Sequence, residues 1–343
     1  MARYIILAAT SILSARGNNL ILLLQTLMKH AINSLTIVAA LAAAIISPAG
    51  MHAQHSHPTP SVVVNPEIPA SVTFAGKRIS LDRDDMYERY DRELTSMAYT
   101  HGNTLLTIKR ANRYFPMLAP VLKSNGVPED LLYLACIESN LNPRALSGAK
   151  AAGIWQFMPA TAKEFGLEVN EFVDERYHPV KSTEAACRYL KKALARYGNW
   201  ESVAASYNGG MARISRELEA QGQNTAFDLW LTDETSRYMF RLLAMKEIME
   251  HPARYGFYLD ASQLYRPVDC DEVTVSGPVA DWAEWAKSHG TSYLSLRDLN
   301  PWIRGKSLPN KTGKTYKVLV PKQGAQLRSK QKQTVYNPDW IKQ

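Results

Sequence analysis

The chain has 343 residues, 46% of them apolar, a formal charge of +8 and three cysteines. That length and apolar content predict two or more folded units and exclude a wholly disordered chain. Cys136, Cys187 and Cys270 cannot all pair within one chain, which leaves room for one disulfide that the sequence does not nominate, and they lack metal-ligand spacing, so no metal site and no cofactor is expected.

In chain order, the first acidic residue is Glu67. Before it, an apolar run from Leu35 to Ile46 follows Lys29 and His30 and leads into Ala-, Gly- and Ser-rich sequence. This is the layout of a secretory signal that starts at Met28, occupies residues up to 53 and is cleaved after Ala49 or Ala53. The run is short for a membrane span, which favours removal over anchoring. A lipoprotein signal needs a cysteine at the cleavage point, whereas the first cysteine is Cys136. The expected location is therefore the periplasm or cell envelope, where nucleic acid is not an expected partner. Residues 54–74, rich in His, Pro, Ser and Val towards their start, read as a linker.

Helical periodicity then predicts elements near 83–97, 103–124, 128–140, 157–165, 179–197, 201–208, 210–221 and 234–250, an all-helical lobe within 75–265. The 128–140 segment carries the chemistry. Pro128 suits a first turn, Glu129 and Asp130 favour the positive helix end, and Asn142-Pro143 stops the run. Its apolar stripe reads Leu131, Leu134, Ala135, then Glu138, then Leu141. At that spacing an apolar residue is expected, so the Glu138 carboxyl loses hydration and its pKa rises, as a general acid near neutrality requires. A Glu near a helix end that bends out to water is the plainer reading. From Ser139 through Lys163 no acidic residue appears, while Ser147, Gln156, Trp155 and Met158 supply hydroxyl, amide, aromatic and thioether groups, the inventory of a carbohydrate cleft. Taken singly, Trp155, Phe157 and Met158 read as core, and Gly209-Gly210 as a helix cap.

After Tyr265 the pattern changes to a strand at 273–275, two helical stretches and a closing strand at 315–321. This order, βααβ, marks a small α+β module over 266–322. From Arg304 onward ten Lys or Arg face one acid, Asp339. A basic, partly disordered tail over 323–343 is expected, suited to an anionic envelope surface.

The pair Glu138-Ser139, GIWQFMPATA at 153–162, SYNGG at 206–210 and ETSRYM at 234–239 resemble, in order and spacing, the four motifs of the soluble-type lytic transglycosylases, membrane-bound transglycosylase D type, across roughly 120–255. The resemblance implies a mainly α protein with a lysozyme-like catalytic domain. It also implies that Glu138 is the catalytic acid and base, that Ser147 polarises the sugar N-acetyl group, and that Gln156, Met158, Tyr207, Asn208 and Tyr238 bind substrate. Trp155 departs from the family, which often has methionine there. Residues 266–322 resemble a LysM module through AKSHGTS, LRDLNP and YKVLVP, but Ser276-Gly277-Pro278 replaces the usual opening turn, leaving glycan binding and a structural role both open.

The implied partner is peptidoglycan. The implied reaction is non-hydrolytic cleavage of the β-1,4 bond between N-acetylmuramic acid and N-acetylglucosamine to give 1,6-anhydromuramoyl ends. Two alternatives stand beside it. A goose-type lysozyme would hydrolyse with a second carboxylate drawn from Glu164, Glu171, Asp174 or Glu175, and a non-catalytic peptidoglycan-binding protein would only grip the glycan.

Overall fold

The computed structural model describes residues 64–330 and 332–341. The expected signal peptide and the first ten residues of the expected linker lie outside them. The end of that linker is structured: β1 (Ser71–Phe74) pairs antiparallel with β2 (Lys77–Ser80), Ser71 opposite Ser80. Ala75 and Gly76 join them with φ of 49° and 80°, the doubly positive geometry of a tight hairpin turn. Val72, Phe74 and Ile79 turn inward and are buried, so the hairpin belongs to the lobe. Four-residue strands with so few inward positions leave too little alternation to read as strands from sequence.

Eight helices build the lobe: α1 (Asp84–Tyr99), α2 (His101–Ser124), α3 (Leu132–Ser139), α4 (Pro159–Glu164), α5 (Pro179–Tyr197), α6 (Trp200–Gly209), α7 (Met211–Ala220) and α8 (Asp233–Glu250). Their ends follow local chemistry. Helix α5 begins on Pro179, whose missing N–H costs nothing in the first turn, and stops at Gly198, which adopts the left-handed conformation. One residue later the Asn199 side chain accepts from the Ser202 amide and starts α6. Helix α2 contains Pro116 and Pro120 yet continues to Ser124, packed along α5. Helix α8 lies against α1, α3 and α6, with Tyr90, Leu94, Leu134 and Phe240 fully buried between them. Leu94, Leu134 and Phe240 each contribute about 1.5–3 kcal/mol through removal from water, whereas Tyr90 offsets part of its gain with a buried hydroxyl that finds no partner among the described residues.

The C-terminal module has the expected order: β3 (Cys270–Val275), α9 (Trp282–Ser288), α10 (Tyr293–Leu299) and β4 (Tyr316–Pro321). β3 and β4 pair antiparallel, Cys270 opposite Pro321. Asp281 caps α9 by accepting from the Ala283 and Glu284 amides. The module's core of Trp282, Leu296, Trp302 and Val318 also takes in Ala152, Val173 and Tyr177 of the lobe. Backbone bonds cross the same seam, from Asp174 N to Trp302 O at 2.9 Å and from Arg304 N to Phe172 O at 2.8 Å.

Residues 332–341 of the tail are seated on the lobe. Trp340 is buried and donates from Nε1 to the Met249 carbonyl at 2.7 Å. Buried Asn112 on α2 clasps the same segment: its Nδ2 donates to Thr334 O and Tyr265 O, and its Oδ1 accepts from Tyr336 N at 2.7 Å. Aromatic contacts of Phe115 with Tyr336 and Trp340 complete the seat. Charge counting overlooked Trp340, whose burial anchors a segment that otherwise reads as solvated, with the exposed Tyr336 ring packed beside it. The three cysteines are free thiols, with Cys136 and Cys187 buried.

Candidate active site

Helix α3 is short because both of its ends are fixed. A 3-10 turn, Glu129–Leu131, leads into it, and the Asp130 carboxylate accepts from the Ala75 amide at 2.7 Å, pinning that turn to the hairpin. At the far end Asn140 and Leu141 adopt φ of 50° and 55°, which ends the helix just after Glu138 and before the last residue of the stripe, Leu141. Leu131, Leu134, Ala135 and Leu141 are fully buried, and Glu138 shares their face, half-buried.

The Tyr238 hydroxyl donates to Glu138 Oε1 at 2.6 Å. Burial pushes the Glu138 carboxyl up to about 7, against the opposing pull of the Tyr238 hydrogen bond and the positive charge of Arg241. Desolvation outweighs both because the carboxylate form has lost water that one phenol does not replace. Tyr238 itself stays protonated, since burial and the adjacent Glu138 both disfavour a phenolate. Tyr207 also feels Glu138 and is likewise held neutral. Its hydroxyl donates to the Trp155 carbonyl at 2.8 Å, with its ring edge-on to Trp155, Phe157 and Tyr189.

The loop after α3 is tied down residue by residue. Ser139 Oγ donates to Ile154 O at 2.8 Å, and bridges Leu146↔Ala152 and Ala152↔Phe157 fold the loop on itself. Gly153, at φ 78°, packs so tightly against Arg176 that a Cβ there would overlap the Arg176 carbonyl oxygen. The Arg176 guanidinium donates to Lys150 O and Phe157 O at 2.7 and 3.0 Å while paired with Asp174. Gln156, at φ 50°, is held by its Nε2 donating to Gly153 O at 2.8 Å.

The residues singled out in the sequence divide into groups. Glu138 and Tyr238 are joined directly. Gln156, Met158, Tyr207 and Asn208 line one cavity of about 370 Å³. Glu138 opens into a separate one of about 260 Å³. Ser147 lines neither; its Oγ accepts from the Ala151 amide at 3.0 Å and braces its own turn. Trp155 is fully buried, with Nε1 donating to Thr183 Oγ1 at 2.8 Å, so it is core and not a wall of the cleft. A further cavity of about 560 Å³ at the seam between lobe and module contains none of these residues.

No carboxylate proposed as a partner for Glu138 shares its cavity. Glu164 lines the neighbouring one and pairs with Lys192 at 2.8 Å. Asp174 and Glu175 pair with Arg176 and Lys181, and Glu171 lines neither cavity. The carboxylate that does line the Glu138 cavity, Glu93, is buried and neutralised by Arg92 at 2.9 Å and Arg237 at 2.7 Å. Sequence reasoning missed Glu93, Arg237 and Arg241. The signal for the arginines was their i, i+4 spacing around Tyr238. Among the described residues, no group of three or more His, Cys, Asp or Glu is placed to hold a metal ion.

Residues 115–229 match a transglycosylase SLT domain, and residues 271–324 a soluble lytic transglycosylase C-terminal LysM-like domain. Tyr238 lies just past the first match. The membrane-bound lytic murein transglycosylase D of Escherichia coli K12 is 34% identical over 264 residues, 74% of this chain and 56% of that protein. The membrane-bound lytic murein transglycosylase C of Yersinia enterocolitica is 26% identical over 169 residues, 45% of this chain and 47% of that protein. A transglycosylase of Enterobacteria phage PRD1 is 38% identical over 73 residues, covering 21% of this chain and 25% of that one. The chain thus spans about half the length of the first two relatives.

Proposed function

From the chain's place in the transglycosylase SLT family, through residues 115–229 with a LysM-like domain behind them, we propose that this protein is a peptidoglycan lytic transglycosylase with Glu138 as its single acid and base. One observation carries the mechanism: Glu138 is half-buried, holds its proton to about pH 7 with the nearby Glu234 charge adding to the effect of burial, and the other carboxylate lining its cavity, Glu93, is already neutralised by two arginines. A glycosidase that hydrolyses by the common two-carboxylate route needs a second free carboxylate as nucleophile or base.

In the proposed reaction, protonated Glu138 donates to the oxygen bridging N-acetylmuramic acid to N-acetylglucosamine, and the glycosidic bond breaks with its electrons staying on that oxygen. The substrate's own acetamide stabilises the anomeric carbon. Glu138, now a carboxylate, takes the proton from the muramyl C6 hydroxyl as C6–O bonds to C1, closing the 1,6-anhydro ring. Water is not consumed, and Glu138 ends protonated for the next turn. Tyr238 occupies Oε1, leaving Oε2 to face substrate. Gln156, Met158, Tyr207 and Asn208 supply the neighbouring sugar contacts, while Ser147 braces the turn that leads to Gln156. Export through the 1–53 segment to the periplasm belongs to the same proposal, as do glycan contact by the LysM-like module and envelope contact by the basic tail.

Mass spectrometry of the soluble products from purified sacculi tests this. Ends lighter by one water than hydrolytic ends are expected. Hydrated ends would assign a hydrolase, and no soluble product would assign a non-catalytic binder.

A further inference from the structure

Arg241 sits one helical turn beyond Arg237 on α8, and both line the Glu138 cavity. The two guanidiniums differ in what they do. Arg237 is committed to Glu93 at 2.7 Å and lies near Asp233 at 3.6 Å. Arg241 is half-buried and its guanidinium, among the described residues, makes no hydrogen bond or ion pair, although it is close enough to Glu138 to favour that carboxyl's ionised form. A guanidinium that has lost part of its water and has no protein acceptor is poised for an anion from outside. The rest of the wall fits a polar ligand: Asn103 and Asn140 also leave their side-chain amides without a partner in the protein.

Resting on the transglycosylase reading above, we propose that Arg241 binds a carboxylate carried by the muramyl residue and so sets the register of the alternating glycan across Glu138. The strand's two sugars differ in this respect. The muramyl residue carries a lactyl ether, ending in a free carboxylate or in a peptide with carboxylates of its own, whereas N-acetylglucosamine carries none. A planar guanidinium recognises a carboxylate through two parallel N–H donors, a geometry lysine lacks. An attraction realised in only one register places the muramyl anomeric carbon, and not its neighbour's, beside the acid.

Equilibrium binding decides this, using the full chain carrying Glu138→Gln to prevent turnover, with and without Arg241→Gln. Three probes are compared: neutral N-acetylglucosamine tetramer, peptide-free alternating tetramer with free lactyl carboxylates, and the same tetramer bearing peptides. Loss of Arg241 is expected to weaken a carboxylate-bearing probe on the order of tenfold or more and leave the neutral tetramer unchanged. The neutral probe also serves as the folding control. Weakening on the peptide-free tetramer assigns the lactyl carboxylate, and weakening confined to the peptide-bearing one assigns the peptide. Arg241→Lys should recover only part of the loss. Equal weakening on all three probes, or none on any, overturns the proposal while leaving the transglycosylase reading intact. Failure of the Glu138→Gln protein to bind any of the three overturns both.

Discussion

The Cα of Gly153 faces the backbone of Arg176 with no room between them: a Cβ at position 153 would lie 2.7 Å from the Arg176 carbonyl carbon and closer still to its oxygen. The contact seats the loop that carries Gln156 against the segment leading into α5. Gly153→Ala would force the loop away and place alanine at φ 78°. We expect it to lower unfolding stability by ~2 kcal/mol or more, measured by urea titration, and to lower activity with it. An unchanged midpoint would show that the loop yields without cost.

Replacing Glu138 by glutamine keeps the shape and removes the transferable proton. Turnover of sacculi should fall at least ~100-fold, the lower end of what a general acid contributes, while glycan binding stays. Retention of activity within about tenfold would place the acid elsewhere.

The same variant separates electrostatics from chemistry. The folded Glu138 carboxyl sits near 7 and its unfolded counterpart near 4.5. Between those values the folded state binds more protons, so this group's contribution to stability falls as pH rises from about 4.5 to about 7. Below 4.5 both states are protonated and Glu138→Gln should match the wild type. Above 7 the wild type must hold a desolvated carboxylate, and the glutamine variant should be the more stable, on the order of 1–3 kcal/mol. Activity should fall along the alkaline limb centred near 7. Equal thermal midpoints at pH 8 would contradict the burial argument.

Tyr238→Phe tests the hydrogen bond at 2.6 Å. The phenol stabilises the carboxylate, so its removal should move the alkaline limb of kcat/KM to higher pH even as the maximal rate drops, because Glu138 loses its orientation. A rate loss with the limb unmoved would mean that Tyr238 acts only through packing.

Helix ends were legible at α5, where single residue types dictate backbone geometry, but less so at α3, which starts after a 3-10 turn and stops at left-handed Asn140 rather than at Asn142-Pro143. Pro179 and Gly198 bound α5 where expected, and Glu138 revealed itself by breaking an apolar stripe. The strand, helix, helix, strand order of the module was equally legible, since each element carries its own periodicity. Hidden were the features that depend on partners far along the chain. The β1–β2 hairpin offers too few inward side chains to alternate visibly. Trp155 reads as core when taken singly, but its partner there, Thr183, is one no local pattern encodes. The division of the cleft residues between two cavities depends on how α3, α6 and α8 meet, and Arg241 stood out only once its neighbour Arg237 was seen to be occupied.

The clasp made by Asn112 has a mechanical meaning. One side chain holds both the strand entering the module, at Tyr265, and the strand returning from it, at Thr334 and Tyr336. The module is therefore an inserted loop of the lobe and not a bead on a string. The module is thereby held at a set offset from Glu138, as a gauge block is held to a blade, and cutting the chain after residue 265 would remove the Trp340 plug along with the module.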